Sequence, residues 1–267
     1  MTAPTTAPVV VFFDIGNTNT KIGIAAGNEP MSSYVVSSED RQTADQFGLT
    51  LMSILRHHGI ERDSICAFVG SSVVPGMSAL VRSACERFFG KRLLLAPEDI
   101  PIPLENRYAN KYEVGADRLV GAFAARRLIP DTPSIISVDY GTATTFDCVT
   151  GNAYLGGLIC PGMLSSLGAM ASRTAKLPKI SLEVEGNTLT PGSSTVTSLN
   201  QGFVFGFAAM TEGLIARLRG CLEGPVCIVG TGGFAQPLSK VTGSFDLIKA
   251  DLLLEGLRIL YNEHTAG

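Results

Sequence analysis

Asp14-Ile15-Gly16-Asn17-Thr18-Asn19-Thr20-Lys21 separates two apolar runs, Val9 to Phe13 before it and Ile22 to Ala26 after it. Apolar runs flanking a short polar turn predict a β-hairpin. Gly16 is able to take a positive φ there, and the small hydroxyl and amide side chains leave backbone N–H groups uncovered for a phosphate. The pattern returns as Asp139-Tyr140-Gly141-Thr142-Ala143-Thr144-Thr145, set between Ile135–Val138 and Phe146–Val149, and this second copy lies close to half of the 267 residues further along. A single Asp-x-Gly turn reads as an ordinary hairpin corner, since Asn, Asp and Gly are the usual turn residues. Its recurrence at half-length predicts a duplicated unit facing itself across a cleft, with two phosphate loops sharing one nucleotide.

Composition narrows the function classes. At 45% hydrophobic residues in a chain of 267, a substantial core can form as one large domain or two compact ones, and the duplication favours two. Net charge is −3 and the basic residues are scattered, which argues against nucleic acid as a partner. No apolar run approaches the roughly 18 residues that span a bilayer, so a soluble protein with no membrane partner is expected. Met1 to Pro8 carries no Lys or Arg, and the apolar run after it ends at Asp14, so no export signal is read.

The cysteines Cys66, Cys85, Cys148, Cys160, Cys221 and Cys227 form no C-x-x-C pair and sit largely in apolar or strand-like stretches, which predicts buried free thiols in a reducing cytoplasm. His57, His58 and His264 lie in polar or terminal surroundings, unsuited to a zinc site or a Ser-His-Asp triad. Catalysis therefore has to rest on carboxylates and electrostatics.

After the first hairpin, Tyr34 to Ser37 predicts a third strand, and Ala44, Phe47, Leu51, Ile54, Leu55 and His58 a helix that stops at Gly59. Cys66–Val69 reads as a buried strand, Met77, Leu80, Val81, Ala84 and Phe88 as a helix face, and Arg92–Leu95 as another strand. This alternation indicates an α/β unit with a mixed sheet. Pro97 to Tyr112 reads as a surface connection. Glu113-Val114-Gly115-Ala116-Asp117-Arg118 then leads into a helix marked by Leu119, Val120, Phe123, Ala124 and Leu128, with Asp117 at or beside its start.

In the second half, Tyr154 to Gly162 is glycine-rich and suited to close backbone approach to a ligand, and a helix follows from Met163. Pro178 to Ser194 reads as a surface loop. The longest predicted helix carries Val196, Leu199, Phe203, Phe207, Met210, Leu214 and Leu218 on one face, capped by Ser193, Ser194 or Thr195. Val226–Val229 is a strand that opens into Gly230-Thr231-Gly232-Gly233-Phe234-Ala235, against which a base or ribose can lie, and Asp251 starts the last helix.

Taken together, these stretches resemble the type III pantothenate kinases of the acetate and sugar kinase/Hsp70/actin superfamily. The resemblance runs from near Val9 to Asn262. It rests on Asp14–Lys21, Ser71–Pro75, Gly115–Arg118, Asp139–Thr145, Gly156–Gly162, Thr195–Gly202, Thr231–Ala235 and Leu252–Leu260. It implies an α/β fold of two duplicated ribonuclease H-like (actin-like ATPase) halves, residues 1–118 and 119–267, with mixed sheets flanked by helices and the active site in the cleft between them. It further implies ATP-dependent phosphorylation of pantothenate to 4′-phosphopantothenate, the first step towards coenzyme A. The enzyme would be a cytoplasmic homodimer using Mg²⁺ with ATP and a monovalent cation, K⁺ or NH₄⁺.

The same resemblance assigns ATP binding to Asp14, Ile15, Gly16, Asn17, Thr18, Asn19, Thr20, Lys21 and Thr142, and the monovalent cation to Asp139. Asp117 is the proton acceptor, and Tyr108, Gly115, Ala116, Asp117, Arg118 and Thr195 match pantothenate-binding positions. One departure stands out: the family often has Gly-Arg-Asn-Thr before the long helix, where this chain has Gly192-Ser193-Ser194-Thr195. Aligning Gly186-Asn187-Thr188 instead is possible, but the pattern continues from Thr195 to Gly202 without a gap, which favours Thr195.

Phosphoryl transfer needs positioned oxygens and compensated charge rather than a covalent nucleophile, so the lack of a catalytic histidine is no obstacle. Asp117 reads either as general base or as a helix N-cap, Lys21 as a phosphate ligand or a solvated strand residue, and Arg118 as a carboxylate or phosphate partner or an exposed helix residue. Tyr108 also fits a core edge, and Thr195 a cap. An ATP-binding regulatory accessory protein of the same fold, without turnover, is the alternative function.

Overall fold

A computed structural model describes residues 8–27, 29–38, 42–173, 178, 180–184 and 186–266. The polar start of the chain before Pro8 and parts of the connection from 174 to 194 lie outside the described residues. Two compact units divide the chain: one takes residues 1–103, 112–124 and 253–267, the other 104–111 and 125–252.

In the first unit, β1 (Val9–Ile15), β2 (Asn19–Ala26) and β3 (Ser32–Ser37) form an antiparallel meander. After α1 (Ala44–His57), β4 (Ile65–Ser72) returns parallel to β1, and after α2 (Pro75–Phe89), β5 (Leu93–Ala96) lies parallel to β4. The sheet order is β3-β2-β1-β4-β5. β1 is central and covered on both faces, which is why its sequence is a continuous apolar run rather than an alternating one. Val9, Val11, Phe13 and Ile15 face the side where α1 and α2 pack, with Phe13 stacked on Phe68 at 5.9 Å. Phe12 faces the other side, with Val69, Val120 and Phe123. Thr43 caps α1 through a capping box with Gln46, and Gly59 follows the helix in a left-handed conformation.

In the second unit, β6 (Glu105–Asn106) precedes α3 (Ala116–Leu128), whose last turn from Ala125 onward belongs to this unit. β7 (Ser134–Tyr140), β8 (Ala143–Thr150) and β9 (Ala153–Pro161) form a second antiparallel meander. α4 (Met163–Arg173) and the long α5 (Thr195–Arg219) follow it. β10 (Val226–Gly232) then lies parallel to β7, and beyond the short α6 (Ala235–Leu238), β11 (Leu247–Ile248) lies parallel to β10. The order β11-β10-β7-β8-β9 repeats the directions and neighbours of the first sheet, with β6 added beyond β9. α7 (Leu252–Ala266) closes the chain and, from Leu253 on, belongs to the first unit.

The structure departs from the sequence reading in several places. Tyr154 to Pro161 is strand, because the turn at Gly151 carries the meander into a third antiparallel run whose glycines the sheet accommodates. β6 and β11 are each too short to show an alternating pattern, so the surface connection conceals an edge strand. Cys85 and Cys148 are buried, but Cys66 and Cys221 are exposed, so the thiols are free without all being buried. Among the described residues no helix is long and apolar enough to cross a membrane.

Gly256 on α7 faces α3 within the first unit. A Cβ there would meet Ala124 Cβ at 2.8 Å and the Val120 carbonyl at 2.9 Å. Glycine to alanine in a helix ordinarily gains about 1 kcal/mol, but overpacking against backbone costs about 1–3 kcal/mol. The clash wins: Gly256→Ala is expected to lower the melting temperature, read by circular dichroism, where an uncrowded helical site would raise it.

Candidate active site

Each meander opens with a hairpin whose corner carries the polar motif. In the first, Asp14 pairs in register with Lys21 on β2 and Ser71 on β4, so the three side chains lie on one face of the sheet. The Gly16 N–H donates to the Asn19 carbonyl at 3.1 Å, which closes the corner and leaves Asn17, Thr18 and Asn19 exposed. Gly16 does not use the left-handed region, and a Cβ there would stand a tight 3.1 Å from the Asn19 carbonyl oxygen. Ile15 and Thr20 point into the core, and the Thr20 hydroxyl bonds to Ser38 Oγ at 2.9 Å. Of this stretch, the two core residues can therefore offer a nucleotide only backbone groups.

α3 covers the same face of the first sheet through Val120 and Phe123. Asp117 lies in its first turn, one residue inside the start and thus not the N-cap. Its Oδ1 accepts the Arg118 N–H at 2.8 Å. Burial pushes the Asp117 carboxyl above the ordinary aspartate range, opposed by that hydrogen bond and by the Arg118 charge. Gly115 makes room for it, because a Cβ there would fall 2.3 Å from Asp117 Oδ1 and 3.3 Å from Val73 Cγ1. A cavity of about 520 Å³ runs along α2, with Ser72, Val73, Arg82, Leu95, Pro97 and Ala116 on its wall. Asp117 does not line it.

In the second unit, Asp139 pairs in register with Thr145 on β8 and Thr231 on β10. The Gly141 N–H donates to the Ala143 carbonyl at 3.0 Å, and Gly141 and Thr142 are exposed at the corner. The corner is braced from below: Ser165 Oγ donates to the Thr142 carbonyl at 2.7 Å, and a Cβ at Gly162 would lie 2.1 Å from that same oxygen. β10 ends beside Asp139 at Gly232, with φ of 85°, where a Cβ would lie 2.3 Å from Asp139 Oδ1 and 2.6 Å from the Tyr140 carbonyl oxygen. Only glycine leaves this oxygen-lined cradle open. A carboxylate with a carbonyl suits a hard cation held by oxygens, and Asp139 fits the cation assignment in that respect. Among the described residues no three His, Cys, Asp or Glu side chains gather as a metal site.

Tyr108 is half-buried, its ring 6.4 Å from that of Tyr154. Thr195 is the first residue of α5 and exposed. The cap is Ser194, whose Oγ accepts the Thr197 N–H at 3.2 Å, while Thr197 Oγ1 accepts the Ser194 N–H at 2.9 Å. Thr188 is exposed as well, in the preceding connection. Within the first unit the structure thus brings Asp14, Lys21 and the helix bearing Asp117 to one sheet face. Within the second it joins Asp139 and Gly232, and seats Tyr108 on Tyr154. Sequence reading missed the roles of Gly162 and Gly232 at these corners; the glycine-rich runs that hold them were the available signal.

The fold is shared with two solved structures of low sequence identity. A candidate Baf family transcriptional activator from Campylobacter jejuni superposes with a TM-score of 0.58 at 16% identity, covering 96% of this chain and 100% of that one. A candidate 2-dehydro-3-deoxygalactonokinase from Sinorhizobium meliloti gives 0.56 at 13% identity, covering 96% of each chain. Sequence comparison is more specific. The family model described as type III pantothenate kinase matches residues 10–217. A type III pantothenate kinase of Nitratidesulfovibrio vulgaris (strain DSM 19637 / Miyazaki F) is 60% identical over 256 residues, covering 96% of this chain and 98% of its own. This chain belongs to the type III pantothenate kinase family.

The environment of Asp117 has a consequence for stability. Its folded carboxyl binds a proton more tightly than the unfolded one, so the native state loses stability as pH rises from the ordinary aspartate pKa through the raised one. Asp117→Asn keeps the acceptor for the Arg118 N–H and removes the buried charge. Its melting temperature is expected to exceed that of the wild type at neutral pH, with the difference closing as pH falls below the ordinary aspartate range. Thermal melts at a series of pH values measure this.

Proposed function

We propose that this chain transfers the γ-phosphoryl group of ATP to the primary hydroxyl of pantothenate, giving 4′-phosphopantothenate and ADP. The observation that carries the reading is full-length kinship with named pantothenate kinases, together with a half-buried Asp117 whose carboxyl is more basic than usual. In the proposed reaction the pantothenate oxygen forms its bond to the γ-phosphorus as the bond to the β-bridging oxygen breaks. The hydroxyl proton passes to Asp117, and ADP leaves.

The corner at residues 14–21 and Thr142 would bind the phosphates through backbone N–H groups and hydroxyls, with Lys21 adding positive charge. Asp139, with the Tyr140 carbonyl beside it, would hold K⁺ or NH₄⁺. Mg²⁺ arriving with ATP supplies charge neutralisation on the β and γ phosphates. Tyr108, Gly115 to Arg118 and Thr195 would contact pantothenate, Arg118 by pairing with its carboxylate or a phosphate oxygen.

The proposal extends to architecture. Residues 1–118 and 119–267 would be the two halves of an ancient duplication, supported by the shared strand order, with one nucleotide served by both phosphate corners. A cytoplasmic homodimer completes the reading. An ATP-binding accessory protein without turnover is not favoured, because the full-length relatives carry the kinase name and the basic carboxylate at Asp117 has no use in binding alone.

The test is ATP-dependent formation of 4′-phosphopantothenate with Mg²⁺, with and without K⁺ or NH₄⁺. Wild-type turnover is expected to require the monovalent cation, and Asp117→Asn to lower kcat by about 10²–10⁴-fold in a folded protein, the range for a lost general base. Asp139→Asn is expected to shift the cation half-saturation upward. Wild-type binding of ATP with no phosphorylated product would reject the kinase reading. In the wild type, kcat/KM is expected to fall on the acid side at a pH above that of an ordinary aspartate.

A further inference from the structure

The second unit contains a carboxylate that none of the roles above uses. Asp147 on β8 is only 4% exposed. Tyr154 donates its hydroxyl to Asp147 Oδ1 at 2.8 Å, and the Thr145 hydroxyl donates to Oδ2 at 3.3 Å. A buried carboxylate is costly unless it is hydrogen-bonded, and a sheet interior has no need of one for packing alone. What distinguishes this one is what lies at either end of its bonds.

At one end, Thr145 is the register partner of Asp139 and projects from the same face. At the other, Tyr154 is fully buried and its ring backs Tyr108. The seat for Tyr108 is completed by Gly156, at φ of 112°, where a Cβ would come 3.2 Å from both Cδ2 and Cε2 of the Tyr108 ring. The β8–β9 register shifts at Cys148/Val149, so Gly156 lies directly beside the bulge. The tyrosine hydroxyl is the only polar atom of a side chain otherwise enclosed in the sheet, and its bond to Asp147 fixes where the ring stands.

We propose that Asp147 and Tyr154 are positioning residues for the phosphoryl-transfer site, holding Tyr108 in place for the acceptor substrate and tying it to the strand segment that carries Thr145 opposite Asp139. The inference rests on the proposed contact of Tyr108 with pantothenate. Neither residue touches substrate; they act through Tyr108 and Thr145. A purely structural network would change stability and leave the kinetic constants alone.

Tyr154→Phe keeps the ring and removes one hydroxyl, so it tests the bond with the least disturbance. In the full-length protein its KM for pantothenate is expected to rise about three- to tenfold, as for loss of one orienting hydrogen bond, with KM for ATP unchanged. In a Tyr108→Ala background the same substitution is expected to change KM little further, since the residue it positions is gone. Asp147→Asn, which retains an acceptor for Tyr154, is expected to give the smaller rise of the two. A lower melting temperature with unchanged KM for pantothenate in Tyr154→Phe would overturn the proposal, as would effects of Tyr154→Phe and Tyr108→Ala that simply add. If Tyr108→Ala alone leaves KM unchanged, the contact of Tyr108 with substrate falls and the proposal with it. Wild-type protein without turnover would instead count against the kinase reading itself.

Discussion

Strand register at the two central strands governs which side chains can act. β1 and β7 each pair antiparallel with the next strand and parallel with a later one, so Asp14 and Asp139 are each flanked by a polar residue on both sides. A slip of one residue in either hairpin would turn the carboxylate and its neighbours to the opposite face. The packing opposes the slip because it would turn the Asp14 carboxylate into the apolar core that holds Phe13 and Ile15. Chemistry at the corners thus depends on packing well away from them, and the polar residues need not hold themselves in place.

The features most legible in sequence were those with a repeated local signature. Both hairpins and the helices with apolar periodicity follow from residue order alone, because apolar period and turn chemistry are local. What could not be read depends on neighbours distant in sequence. β9 looked like a ligand loop because Gly156 and Gly157 suppress the strand pattern, and only pairing with β8 reveals it. Asp117 read either as a base or as a cap, and the cap is excluded because Ala116 already belongs to the helix and the carboxylate sits within the first turn. Gly16 could have used its backbone freedom but keeps an ordinary φ beside a close carbonyl. Gly232 was read as part of a loop for a base or ribose, and its left-handed backbone, which clears space beside Asp139, could not be read from that run. Cysteine exposure likewise depends on which face a strand residue occupies, as Cys66 shows beside the buried Ile65 and Ala67.

Asp117 and Asp147 illustrate two ways of keeping a carboxylate away from water. Asp117 accepts the Arg118 N–H and lies near the Arg118 charge, but burial outweighs both and raises its proton affinity. Asp147 is more deeply enclosed and accepts two hydroxyls from its own sheet. The first arrangement raises the proton affinity of the buried group, and the second ties it to hydroxyls of its own sheet. Sites of this kind commonly tolerate such local costs because the rest of the fold supplies the net stability.

The last helix has a consequence for how the molecule is made. Leu254, Leu257 and Leu260 of α7 share a core with Phe12, Val69 and Phe123, elements separated from them by nearly the whole chain. During synthesis β1 to β5 leave the ribosome first, yet one side of their sheet has no cover from α7 until the final residues appear. The first unit to be translated is the last to be completed. In the interval its apolar face is the surface most in need of protection by chaperones, while the second unit already has every strand of its sheet.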